Sequence, residues 1–169
     1  MRFGLRGILG IYCKDNLKQD IIICLVISVV LSIFTILSTN DVLCQLRLIM
    51  DIGLKILPTM IALNLASYTL MLSLITSDKF LDDKKVEQIK QLKEKLNSSF
   101  AIALLISIVS IVFFVIISVL GSLDIFVVPT ACVVNSIAYF LSIFLLAYCF
   151  RALFCIVIDL FNIGQVNNS

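Results

Sequence analysis

The stretch IIICLVISVVLSIFTILSTN, residues 21–40, is uncharged from end to end and bounded by Asp20 and Asp41. A helix that crosses a bilayer needs about 20 consecutive apolar residues. In hydrocarbon only a helix satisfies its own backbone over that length. The same arithmetic finds three more runs. Twenty-two uncharged residues lie between Lys55 and Asp78, 28 between Lys95 and Asp124, and 26 between Asp124 and Arg151. The spacing predicts four transmembrane helices, near 21–38, 56–77, 99–121 and 125–150. The first run is read as a span, not a cleaved signal, because no small-residue cleavage site follows its polar end at Ser38–Asp41.

Composition points the same way. The 169 residues are 61% hydrophobic and only 14% charged, with a net charge of +2 and a mean hydropathy of +1.14. Soluble domains carry roughly 45–50% apolar and about 25% charged residues, so this chain lacks the charge to coat a water-facing globule. The expected fold class is all-α: an integral membrane four-transmembrane-helix bundle with cytoplasmic helical extensions. A disordered chain, a disulfide miniprotein and a basic nucleic-acid binder are excluded by the same figures. With no His and no Trp, a His-based triad, His–metal site or His-held haem is impossible. None of the six cysteines forms a C-x-x-C pair. Cys24, Cys132 and Cys149 sit inside apolar runs, where a thiol packs as a small hydrophobe. No metal or other cofactor is expected, and no catalytic residue: nothing at membrane depth would activate the abundant Ser and Thr hydroxyls. The chain is read as a non-enzyme.

Basic residues set the expected orientation. Arg2, Arg6, Lys14 and Lys18 precede the first span, and Lys79, Lys84, Lys85, Lys90, Lys93 and Lys95 fill the second loop. The first loop has only Arg47 and Lys55, and the third has none. Positive-inside bookkeeping places both termini and the second loop in the cytoplasm, with the chain in the cell inner membrane.

Four segments lie outside the spans. Residues 1–19 mix apolar and basic side chains as a cytoplasmic amphipathic helix does. Residues 42–55 are read as an outer interfacial helix running into the second span. Residues 78–98 are rich in helix formers, contain no Gly or Pro, and predict a cytoplasmic helical stalk leading into the third span. Residues 151–169 extend the fourth helix. The stalk has two readings: a solvated connector whose lysines set topology, or a docking surface. On the docking reading the candidates are Lys84, Lys85, Lys90, Lys93, Arg151 and Asp159. Acidic neighbours offset the lysines, so direct nucleic-acid binding by this chain is not expected.

Within the spans, small and hydroxyl residues recur at spacings of three and four. The sets are Cys24/Ser28/Ser32/Thr35, Ala62/Ala66/Thr69/Ser73/Ser77, Ala103/Ser107/Ser110/Ser118/Gly121 and Ala131/Asn135/Ala138/Ser142. Such stripes let helices approach closely, within a bundle or a homo-oligomer; the alternative is a narrow polar path between subunits. The most polar intramembrane groups are Asn64 with Tyr68 one turn later and Asn135 with Tyr139 one turn later. They are read as hydrogen-bonded helix contacts ahead of pore lining. Candidate intramembrane interface residues are therefore Asn64, Tyr68, Ser107, Ser110, Asn135 and Ser142. No charged residue is expected near the middle of a span, which argues against a coupled transporter. Pro58 is placed at the start of the second span, where it costs little.

The order of elements, with LPTMIALNLASYTLMLSLITS (57–77), the lysine-rich stalk, IFVVPTA (125–131) and CIVIDLFNI (155–163), resembles the small four-span membrane proteins of antiphage systems. These include KwaA of Kiwa and RexB of the lambda Rex system. The segments Thr59–Ala62, Val128–Ala131 and Asp159–Asn162 carry the likeness to RexB, and the resemblance covers about residues 55–163. A KwaA-like chain implies an inner-membrane oligomer that senses infection and anchors a cytosolic, DNA-acting KwaB-like subunit. A RexB-like or holin-like chain implies an ion-conducting pore that depolarises the cell. The added N-terminal segment and the lack of a polar pore helix favour the anchoring role.

Overall fold

The computed structural model describes residues 14–38, 41–75, 86–122 and 131–168, with side chains placed for 18–38, 41–73, 94, 96–120, 133–159 and 161. Every described element is a helix: α1 (Lys14–Ser38), α2 (Val42–Ile75), α3 (Val86–Ser122) and α4 (Ala131–Asn168). All four are long and apolar enough to cross a membrane.

Three of the expected segments are joined to spans in unbroken helices. Residues 42–55 form the first part of α2, which continues without a break through Ile75. Asp41 starts it: its Oδ1 accepts the Cys44 backbone N–H at 3.1 Å, which satisfies one of the free donors of the first turn. Pro58 consequently lies inside the 34-residue helix, not at its first turn. It removes one backbone hydrogen bond there, and its ring faces outward. Likewise the 86–98 part of the stalk and the third span form a single helix of 37 residues. The fourth helix is continuous through Arg151 to Asn168, about 57 Å at 1.5 Å per residue. The early part of the N-terminal segment, the loop carrying Lys84 and Lys85, and positions 125–130 lie outside the described residues.

The helices alternate in direction, and cross-helix contacts fix their register. Thr35 meets Tyr139 and Asp20 meets Arg151, so α1 and α4 are antiparallel. Gly53 abuts Phe114 and Tyr68 bonds Asn97, so α2 and α3 are antiparallel as well. One end of the bundle, the base, holds the start of α1, the end of α2, the start of α3 and the end of α4. The other end, the crown, holds the opposite termini. Helix α4 is the hub, packing against α1, α2 and α3, while α2 also packs on α3.

Two clusters fill the interior. The upper one gathers Leu46, Met50, Leu57 and Met60 of α2, Phe114 of α3 and Ala138, Tyr139, Ile143 and Cys149 of α4. The lower one gathers Met71, Leu96, Phe100, Ala103 and Ile156. Outside, the distribution is inverted relative to a water-soluble fold. Phe34 is 71% exposed and Leu37 82%, whereas Ser28, Ser110 and Ser142 are fully buried. Apolar side chains outward and hydroxyls inward is the arrangement hydrocarbon favours, since association there rests on close packing and hydrogen bonds.

Candidate functional site

Four of the buried hydroxyls are satisfied within their own helices, whereas Ser32 Oγ has no hydrogen-bond partner. Ser28 donates to the Cys24 carbonyl (2.7 Å), Ser107 to Ala103 (2.8 Å), Ser110 to Ile106 (2.7 Å) and Ser142 to Ala138 (2.7 Å). Back-bonding of this kind lets a serine enter a helix interface without a partner across it. Ser107 and Ser110 do a second thing. Both turn toward the Cys149 sulfur, at 3.8 and 3.4 Å, and lock α3 to α4 near mid-bundle. The candidates Ser107, Ser110 and Ser142 are thus buried inside the bundle.

The asparagines and their tyrosines divide differently from the expected pairing. Asn64 and Asn135 are buried, yet the Oδ1 of each has no hydrogen-bond partner. The cross-helix bonds come from the tyrosines one turn later. Tyr68 donates to Asn97 Oδ1 at 3.0 Å while its ring stacks against Phe100. The Tyr139 hydroxyl lies 2.8 Å from Thr35 Oγ1. A tyrosine reaches across an interface because its hydroxyl stands beyond a rigid ring; an asparagine one turn away is too short.

Charge is tied down at one point of the base. Arg151 Nε donates to Asp20 Oδ1 at 2.8 Å, with the carboxylate side chain 9% exposed and the guanidinium side chain 33%. Asp20 sits in a small pocket with Ser99, Ile102, Tyr148 and Cys155, where α1, α3 and α4 converge. Arg151 thus reaches into the helix junction and braces α1 to the hub. The sequence marks both residues only as charges that end apolar runs; nothing local pairs them across 131 positions.

Beyond that tie, α3 reaches back to Val86 and α4 runs on to Asn168. Lys90 and Lys93 lie on the first turns of α3, and Asp159 lies on α4, half-buried. The register set by Leu96, Phe100 and Ile156 brings the start of α3 and the end of α4 together at the base. Lys84 and Lys85 fall outside the described residues.

A groove of about 890 Å³ opens between α1 and the first half of α2, floored by α4. It exists because α1 leans on α4 and scarcely touches α2. Its walls are apolar, with Thr35, Gln45 and Tyr139 toward the crown and Arg151 toward the base. No group of three His, Cys, Asp or Glu side chains able to hold a metal occurs among the described residues.

The stripe expected on α2 turns out to face away from the other helices. Ala62, Ala66, Thr69 and Ser73 are exposed, and the buried face is made by Leu46, Met50, Gly53, Leu57, Met60, Asn64 and Met71. The stripes of α1, α3 and α4 face inward through Cys24, Ser28 and Ser32, through Ala103, Ser107 and Ser110, and through Asn135, Ala138 and Ser142. Comparison with known proteins adds no family: no protein-family model, curated protein or solved structure matches the chain.

Proposed function

We propose that this chain is the inner-membrane anchor of a two-part antiphage assembly, holding a cytosolic DNA-acting subunit against the bilayer. The observation that carries the reading is the length of α3 and of α4 that continues past the level of the Asp20–Arg151 tie. The inverted distribution of apolar and hydroxyl side chains supports placement in a bilayer. The lysines of the second loop support a cytoplasmic base. A brace from α1 to the hub just above the projecting helices would couple the membrane bundle to whatever sits on them. The resemblance to KwaA-like proteins supplies the setting of defence against phage.

The test is affinity purification from native membranes in mild detergent, with neighbouring genes intact. A stoichiometric cytosolic protein is the expected result, lost in the double variant Lys90→Glu/Lys93→Glu while the membrane chain still accumulates. Recovery of the membrane chain alone from both wild type and variant would sink the proposal.

A further inference from the structure

The outward face of α2 carries more than small residues. Cys44, Arg47, Asp51 and Lys55 continue the stripe of Ala62, Ala66, Thr69 and Ser73 toward the crown, all exposed. Along the centre of this face the positions run 44, 48, 51, 55, 58 and 62 in alternating steps of four and three, and after one repeated step of four continue at 66, 69 and 73. That is the seam spacing of packed parallel helices. Lys55 Nζ bonds Asp51 Oδ2 at 2.6 Å, with the two side chains 72% and 66% exposed.

The level of these charges is what matters. Leu46 and Met50 share a cluster with Tyr139 and Ile143, Gly53 abuts Phe114, and Leu48 and Ile49 wall one groove with Ile27 and Leu31. Residues 44–55 therefore stand beside the apolar belt of the other helices, which shows Val30 and Phe34 of α1, Val112 and Val115 of α3, and Val134 and Ile137 of α4 to the outside. Charged side chains at hydrocarbon depth are expensive, and nearly always face protein or water rather than lipid.

We infer that the outward face of α2 is the surface on which a second copy of this chain packs, α2 against α2. The charges suit a like neighbour. With parallel helices in register, Asp51 of one copy lies one turn from both Arg47 and Lys55 of the other, so each carboxylate gains cations from across the seam. Below them the pairs Ala62/Ala66 and Thr69/Ser73 are of the small-xxx-small kind that lets backbones approach. The hydroxyls of Thr69 and Ser73 already bond Ala66 and Leu70 carbonyls of their own helix, leaving a smooth surface. The inference rests on the bilayer placement proposed above and needs no cytosolic partner.

Cys44 provides the probe. Full-length protein in carbonate-washed native membranes is treated with copper–phenanthroline and run without reductant. A disulfide forms only where the two β-carbons come within about 4.5 Å. The expected result is a homodimer band that disappears in Cys44→Ser, persists in Cys155→Ser, and returns when Ala66→Cys is added to Cys44→Ser. Placing the new thiol on the apolar belt instead, with Val112→Cys, restores nothing. No homodimer at either seam position, equal dimer from the Val112→Cys control, or an adduct with a different protein would each overturn the inference. Stripping of the protein by carbonate would overturn the bilayer placement and the pairing together.

Discussion

Replacing Gly53 by alanine tests the packing of the upper cluster with a change of one methyl group. In an ordinary helix interior this substitution gains about 1 kcal/mol, because alanine loses less backbone entropy. Here the new Cβ would lie 2.8 Å from Phe114 Cδ2 and 3.2 Å from Cζ, with Cε2 nearer still. Carbon atoms in contact sit at about 3.5–4.0 Å. The Phe114 ring cannot swing aside into solvent, since it is 0% exposed and held by the cluster that includes Leu57, Met60 and Ala138. Overpacking of such a site costs about 1–3 kcal/mol. An enclosed aromatic ring belongs at the upper part of that range, so the net effect is a loss of about 1–2 kcal/mol, a factor of about 5–30 in the folded-to-unfolded ratio. The assay is thermal or SDS-driven unfolding of the purified protein in detergent, followed by far-ultraviolet circular dichroism. A double-mutant cycle with Phe114→Leu isolates the cause: Gly53→Ala should become neutral or favourable once the ring is shortened. A midpoint for Gly53→Ala equal to or above wild type would refute the reasoning, as would an unchanged penalty beside leucine.

Three further outcomes follow from the polar ties. Arg151→Ala takes the paired cation from a carboxylate that is 9% exposed and should lower stability by up to about 3 kcal/mol; Asp20→Asn/Arg151→Gln should cost clearly less, and equal losses in the two proteins would contradict the part-buried ion pair. Tyr139→Phe removes the 2.8 Å contact with Thr35 for about 0.6 kcal/mol, the usual scale between membrane helices, and a cycle with Thr35→Val should show the two losses are not additive. Asn64→Leu removes a buried amide whose Oδ1 has no partner and should raise the unfolding midpoint, by about 1 kcal/mol; a lowered midpoint would show that the amide is engaged in the folded protein.

Where the chain forms helices was legible from charge spacing, because an uncharged run of 20 residues in hydrocarbon has no other way to satisfy its backbone. Charge spacing did not show that segment 42–55 packs into the bundle; the contacts of Leu46, Met50 and Gly53 do. The recurrence of small residues was visible too, but not which way each stripe points. In a water-soluble helix, polarity itself labels the outer face. Here the side chains are largely apolar inside and out, so the facing of Ala62 and Ala66 outward and of Ser107 and Ser110 inward is decided by neighbours.

The sequence by itself determined the number of long apolar helices and the residue types along them, since those depend on local runs of about 20 residues. The tertiary structure decided that α4 is the hub, that Arg151 finds Asp20, that Tyr139 rather than Asn135 reaches another helix, and that α2 turns its charged, small-residue face away from the bundle. Each of these is a meeting between helices far apart in the chain. It is fixed by rotation and register, and a helix that is apolar on every side carries no local signal for either.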